Sequence, residues 1–308
     1  MHPFRFGVTA NSARSAEAWA TLARRAEALG YATLVMPDHL GSQLSPVAAL
    51  SAAATATRRL RIGSFVFAND YRHPLLLARE AASLDVLSDG RLELGMGAGW
   101  RTDDYRQLGI AYERPGLRIE RLEESLLILR RLFAGERVTH AGTHYQLRGA
   151  RLAPLSVQRP GPPILIGGGG PRMLRLAARH AQIVGLLPQF DAHGRPMLAQ
   201  ATEAATERKV AILRDAAGSG FERLELNVLV ADAGIIGAEG QPLASIGAIA
   251  KSIGPRVVGG TPYVMYGTLT QLREQLERRR DQLGISYYVW RARLMEPMAP
   301  VVADLAGR

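Results

Sequence analysis

The chain has 308 residues, 47% of them hydrophobic and 21% charged, which excludes wholesale disorder and supplies a sizeable core. The absence of cysteine removes disulfides, thiolate zinc sites, iron–sulfur clusters and a cysteine nucleophile. The formal charge is +10; of 38 basic residues only Lys209 and Lys251 are lysines, and the arginines are scattered, so the bias reads as a compositional habit and no nucleic-acid partner is expected.

Read in order, the chain alternates strand and helix. Phe4 to Val8 forms a short first strand, and Ser15 is placed to cap a helix carrying Ala18, Leu22, Ala26 and Leu29 at helical spacing until Gly30 stops it. No basic segment followed by an apolar run opens the chain, so no secretory leader is expected. Ala32 to Met36 is a second strand, a helix starts near Pro46, and Leu60 to Ala68 is a third strand. A helix from Pro74 leads to the fourth strand, Arg91 to Met96. Pro115 to Phe133 is a long amphipathic helix with Leu122, Leu126 and Leu129 on one face and Glu120, Glu123 and Glu124 on the other. Residues 134–162 read as a polar, proline-punctuated excursion.

The alternation then resumes. The fifth strand is Pro163 to Ile166, followed by a helix from Pro171 to His180; the sixth is Ile183 to Leu187, followed by a helix from Leu198 to Ala216. The seventh is Arg223 to Ala231, and a glycine-spotted insertion follows with one short helix expected near Leu243 to Ser252. A charged helix, Leu269 to Leu283, precedes the eighth strand, Ser286 to Arg291. Units of about 30 residues with this rhythm predict parallel strands with helices outside. The expected fold is α/β, a (β/α)8 TIM barrel over residues 1–308 as a single domain, with insertions after strands four and seven. A doubly wound sheet would need a glycine-rich turn after its first strand, and residues 9–13 do not supply one. No apolar run reaches the roughly 20 residues of a membrane span, so a cytoplasmic protein is expected.

In such a barrel, chemistry sits where strands end. The second strand ends at Asp38-His39, an imidazole able to trade a proton near neutral pH with a carboxylate beside it; a histidine simply bonded within a loop is the alternative. The fourth ends in Gly95-Met96-Gly97-Ala98-Gly99-Trp100, where alternate glycines would let a ligand approach the backbone. The fifth ends in Gly167-Gly168-Gly169-Gly170-Pro171-Arg172 and enters a helix at once. Backbone N–H groups, the helix N-terminus and Arg172 together favour a phosphate-bearing ligand. His140 and His144 stand four apart with Gly142 between them and read as a loop, so no metal site is expected.

These residues resemble a known family. Gly30-Tyr31 through Pro37-Asp38-His39, Arg61-Ile62-Gly63-Ser64, Leu84 to Arg91, Glu93 to Trp100, Tyr105 to Ile110 and Pro163 to Gly169 are similar to the bacterial luciferase-like oxidoreductases, in particular the branch using the deazaflavin coenzyme F420. The resemblance implies a barrel with insertions, an active-site histidine at His39 and a cofactor-phosphate cradle at Gly167–Arg172. It also implies a non-proline cis peptide in strand three, at Phe65-Val66, backing the flavin ring. Asn69, Gly97, Ala98 and Gly99 join the expected cofactor contacts, with Trp100 and Tyr71 on the substrate side and Asp38 orienting His39.

The sugar-phosphate dehydrogenases of that branch place an acidic residue where Trp100 stands and a tryptophan near Gln43, so glucose 6-phosphate is not the expected substrate. True luciferases place a phosphate-binding arginine near Ala98; its absence favours F420 over FMN. The expected function is hydride transfer between F420 and a small organic substrate. The alternatives are an FMN-dependent monooxygenase supplied with reduced flavin by a separate reductase and, from another class, a non-catalytic protein with a basic binding surface. A reductase for F420 and a homodimer are further expectations from the resemblance.

Overall fold

The computed structural model describes residues 1–189, 197–237 and 260–308. Its barrel strands are β1 (Arg5–Thr9), β2 (Thr33–Met36), β3 (Arg61–Ser64) with β4 (Phe67–Ala68), β5 (Leu92–Gly97), β8 (Ile164–Gly168), β9 (Ile183–Leu186), β10 (Glu225–Val230) and β13 (Ile285–Arg291). They hydrogen-bond in the order β3-β2-β1-β13-β10-β9-β8-β5-β4, and β3 also pairs with β5, so the sheet closes into the expected eight-stranded parallel barrel. The third strand of the sequence reading is two pieces, and the peptide between Phe65 and Val66 is cis. By contacts the chain divides into two compact units, one of Met1–Ala10, Arg25–Leu34 and Gly168–Arg308, the other of Asn11–Arg24 and Val35–Gly167.

The second unit holds most of the first helix and the helices that follow it up to Gly167. Ser15 Oγ accepts the Ala18 N–H (3.1 Å) at the start of α1 (Ala16–Ala28), and Trp19 Nε1 donates to the Ala49 carbonyl (2.7 Å), tying α1 to α2 (Pro46–Ala56). Prolines open α2, α3 (Pro74–Leu87) and α5 (Pro115–Phe133), where a missing N–H costs nothing. In α5, Leu122, Leu126 and Leu129 are fully buried as the apolar stripe requires. The insertion after β5 carries α4 (Thr102–Leu108), then α5, then an antiparallel hairpin of β6 (Val138–Ala141) and β7 (Gln146–Ala150). The hairpin departs from the expected irregular excursion: its strands alternate only over a few polar residues, too short a pattern to stand out.

In the other unit, β1 and β13 pair in parallel with Phe6 opposite Tyr288, and the rings of Phe6 and Trp290 stack with centroids 6.0 Å apart. Arg5 pairs with Glu225 through two 2.8 Å contacts and lies over Tyr287. Helix α6 spans Pro171–His180 as predicted, while the expected Leu198 helix is a short 3-10 turn followed by α7 (Glu203–Ala217), capped by Thr202. A capping box of Thr268 and Gln271 starts α8 (Leu269–Leu283), and Gly284 at φ +76° ends it. In the insertion after β10, β11 (Asp232–Ile235) pairs in parallel with β12 (Val264–Gly267); the helix expected near 243–252 lies outside the described residues. No helix among the described residues is long and apolar enough to cross a membrane.

Candidate active site

The wholly buried β2 delivers Pro37, Asp38 and His39 to its C-terminal end. The two side chains then part company. Asp38 is buried, accepts the Ala68 N–H (3.1 Å) and pairs with Arg72, whose Nη1 and Nη2 lie 2.7 and 3.3 Å from its two oxygens. His39 instead places Nδ1 2.7 Å from Oδ2 of Asp104, which is fully buried near the start of α4. The expectation that Asp38 orients His39 is therefore corrected: adjacent residues in an extended segment point apart, and the partner comes from 65 residues along the chain. Asp104 also accepts the Leu40 N–H (3.2 Å) and the Tyr71 hydroxyl (3.2 Å). Burial, then the neighbouring Asp104 carboxylate, push the Tyr71 phenol well above its ordinary range, so it keeps its proton. Trp100 meets the His39 ring edge-to-face, centroids 5.3 Å apart. The expected His39, Tyr71 and Trp100 are thus brought together, around a carboxylate that the sequence reading did not single out.

A second cluster surrounds Asn69. Its Nδ2 donates to the Tyr145 hydroxyl (3.0 Å), and its Oδ1 is buried without a hydrogen-bond partner. Asp70 pairs with Arg121 (2.8 Å) and accepts the Tyr105 hydroxyl (3.0 Å). Tyr145 is set by Glu124 of α5, whose carboxylate accepts the N–H groups of His144 and Tyr145 and lies 3.0 Å from His140 Nε2. Burial pushes the Glu124 carboxyl up, but these hydrogen bonds outweigh it and hold it below its ordinary value. Burial raises Tyr145 to about 12.

The alternate glycines at the end of β5 and just beyond it have a packing reason. A Cβ at Gly95 would overlap the Ser64 carbonyl, one at Gly97 would come 2.5 Å from Val66 Cγ2, and one at Gly99, at φ +73°, would overlap the Tyr105 hydroxyl. Neighbouring protein atoms, not an open cavity, occupy the space beside Gly97 and Gly99. The carbonyl of Ala98 accepts from Arg118 Nη1 (3.3 Å) and the Tyr105 hydroxyl (3.3 Å). An arginine absent from the local sequence is therefore supplied in space, but Arg118 also bonds the carbonyls of Gly99 and Glu113 and the Tyr112 hydroxyl. Its donors are committed to the loop rather than held ready for a phosphate.

The predicted glycine turn runs from Gly167, the last residue of its unit, into α6 of the other. A Cβ at Gly168 would crowd Met173 at 2.8 Å, and one at Gly169 would overlap the Leu187 carbonyl, so packing already demands glycine at both. Gly170 differs. It is the N-cap of α6, no side chain caps the helix, and only Gln189 Nε2 at 3.6 Å would meet an added Cβ. With Pro171 next and the exposed Arg172 after it, this helix start is the part of the turn suited to an anion.

A closed parallel barrel with a carboxylate-held histidine at a strand end defines an enzyme-type scaffold. Residues 1–220 match the model of the luciferase-like monooxygenase family, and the chain belongs to that family. It is 33% identical over 189 residues to the F420-dependent glucose-6-phosphate dehydrogenase of Microbacterium testaceum, covering 58% of this chain and 55% of the relative. It is 34% identical over 165 residues to the 4-hydroxyprotoasukamycin monooxygenase of Streptomyces nodosus subsp. asukaensis, covering 52% and 44%. The chain thus spans about half the length of the curated relatives it matches. The structure of the coenzyme F420 dependent tetrahydromethanopterin reductase from Methanopyrus kandleri shares the fold, with a TM-score of 0.79 at 18% identity, covering 99% of this chain and 100% of the other.

Proposed function

We propose that the protein transfers a hydride between coenzyme F420 and a small organic substrate, with His39 trading the substrate's proton. The observation that carries this reading is the half-buried His39 imidazole at the end of β2, anchored at one nitrogen by Asp104 and flanked by Trp100. When bound, the deazaflavin supplies hydride acceptance and donation at its C5 position. The chain's residues do the rest. As a substrate alcohol is oxidised, its carbon gives up the hydride while its hydroxyl proton passes to the His39 imidazole; in the reverse direction the imidazolium returns the proton to the carbonyl oxygen.

The residues present fit the cofactor. The buried, partnerless Asn69 Oδ1 offers an acceptor for a ring N–H. The uncapped start of α6, with Gly170 and Arg172, is by itself suited to a phosphate. Phe65-Val66 is the segment the resemblance assigns to backing the ring. Relatives named as F420-dependent support this choice of cofactor. Sugar phosphate is not the substrate we assign, because Trp100 sits against His39 where the sugar-phosphate enzymes carry an acid, and Gln43 holds the Pro37 carbonyl (3.0 Å).

The relative named as a monooxygenase supports a second reading, in which reduced FMN replaces F420. Equilibrium titration of the purified protein with F420 and with FMN tests the choice: saturable binding of F420 at lower concentration than FMN is expected, and the reverse order overturns it.

A further inference from the structure

We propose that Asp104 is a positioning residue that fixes the tautomer of His39, so that Nε2 is the nitrogen that exchanges a proton with substrate. The chemical half of this statement rests on the acid–base role proposed above; the tautomer does not.

Hydrogen-bond donors surround Asp104. Asp104 is fully buried, and every group directed at it has a hydrogen to give. The Leu40 N–H reaches Oδ1 at 3.2 Å, and Arg101 Nε lies 3.9 Å from the same oxygen. On Oδ2, the Tyr71 hydroxyl sits at 3.2 Å; its acidity is suppressed by burial and by Asp104 itself, so it stays a phenol and donates. The remaining contact on Oδ2 is His39 Nδ1 at 2.7 Å. With donors at each of its other contacts, the carboxylate is an acceptor throughout, and the geometry gives the hydrogen of this contact to Nδ1. In a neutral imidazole that leaves the lone pair on Nε2, as the base form requires.

Position reinforces the assignment. Trp100 bounds the His39 ring edge-to-face, and Tyr71 fixes the same carboxylate oxygen from the turn after β4, so the ring is limited in rotation as well as in tautomer. Neighbouring Asp103 cannot substitute, because it is exposed and pairs with Arg106 (2.9 Å).

The test uses the whole protein labelled with 15N-histidine, with His39→Gln identifying the His39 signals among the seven histidines. In wild type, above the pH at which the ring becomes neutral, Nδ1 should show the protonated signature and Nε2 the lone-pair signature. Asp104→Asn can offer its amide N–H to Nδ1 and should shift the population toward Nε2–H; Asp104→Glu should restore much of the wild-type pattern. Loss of the correct tautomer should lower kcat by ~10²–10⁴ while leaving the Kd for F420 nearly unchanged. A wild-type ring with the hydrogen on Nε2, or a tautomer ratio unmoved in Asp104→Asn, overturns the proposal. Failure of the functional reading looks different: the tautomer shifts as described, yet neither wild type nor variant turns over F420.

Discussion

Replacing Arg72 with methionine separates a structural carboxylate from a catalytic one. Asp38 is only 7% exposed, and its partners are two guanidinium nitrogens of Arg72 and one N–H from Ala68. The Arg72→Met change keeps the aliphatic stem that packs near Phe67, over whose ring the guanidinium carbon stands at 4.9 Å, but removes the cation. Asp38 is then buried with a single donor. Removing one partner of a buried pair costs about 3–5 kcal/mol, and the partial exposure of Arg72 places this pair near about 3 kcal/mol. At about 2 °C per kcal/mol for a chain of 308 residues, Tm should fall by about 6 °C. Thermal unfolding followed by circular dichroism reads this directly, and the double variant Asp38→Asn/Arg72→Met should be less damaging than the two singles added together. An unchanged Tm accompanied by collapse of hydride transfer would refute the reasoning, because the pair would then serve chemistry rather than hold the segment after β2 against the end of β4.

Other consequences are equally direct. His39→Ala should reduce turnover by ~10²–10⁴ while F420 affinity stays nearly intact, as read by steady-state kinetics beside a binding titration; unchanged turnover removes His39 from the mechanism. Gly170→Asp places a favoured N-cap residue at the start of α6, so Tm should hold or rise while F420 affinity falls by roughly tenfold, since the carboxylate opposes the cofactor's phosphate. Gly168→Asp should lower both, because its Cβ meets Met173 first. Burial, with a smaller contribution from Arg208, pushes Lys209 down from 10.5 to about 8, so its protonated form is disfavoured in the folded state. Measured against Lys209→Met by urea midpoints, wild-type stability should gain as pH rises from about 8 toward 10.5 and be flat below that window; a pH-independent difference contradicts the assignment.

Much of this was legible in sequence because it is written locally. Buried runs such as Ile164–Gly168 and Ile183–Leu186, and the Gly170-Pro171 entry to α6, carry their own start and stop signals. What sequence could not show was which distant residue fills a given space. Asp38 looked like the partner of His39 because it is adjacent, whereas the geometry of an extended turn gives that place to Asp104. Gly95, Gly97 and Gly99 looked like room for a ligand, and the atoms that require them belong to Ser64, Val66 and Tyr105. The same holds for Arg118, which reaches the Ala98 carbonyl from helix α5, and for Glu124, whose hold on the 138–150 hairpin is invisible until the chain folds.

The central claim is hydride transfer through F420 without oxygen. The direct measurement is to load the protein with reduced F420 carrying deuterium at C5, add a panel of small carbonyl compounds, and follow deuterium in the products together with oxygen uptake. Deuterium is expected on the carbinol carbon of a product, at the same rate with and without oxygen, with loss of the label transfer in His39→Ala. Oxygen consumption with an oxygen atom inserted into the product, and activity restored only by reduced FMN, would contradict it.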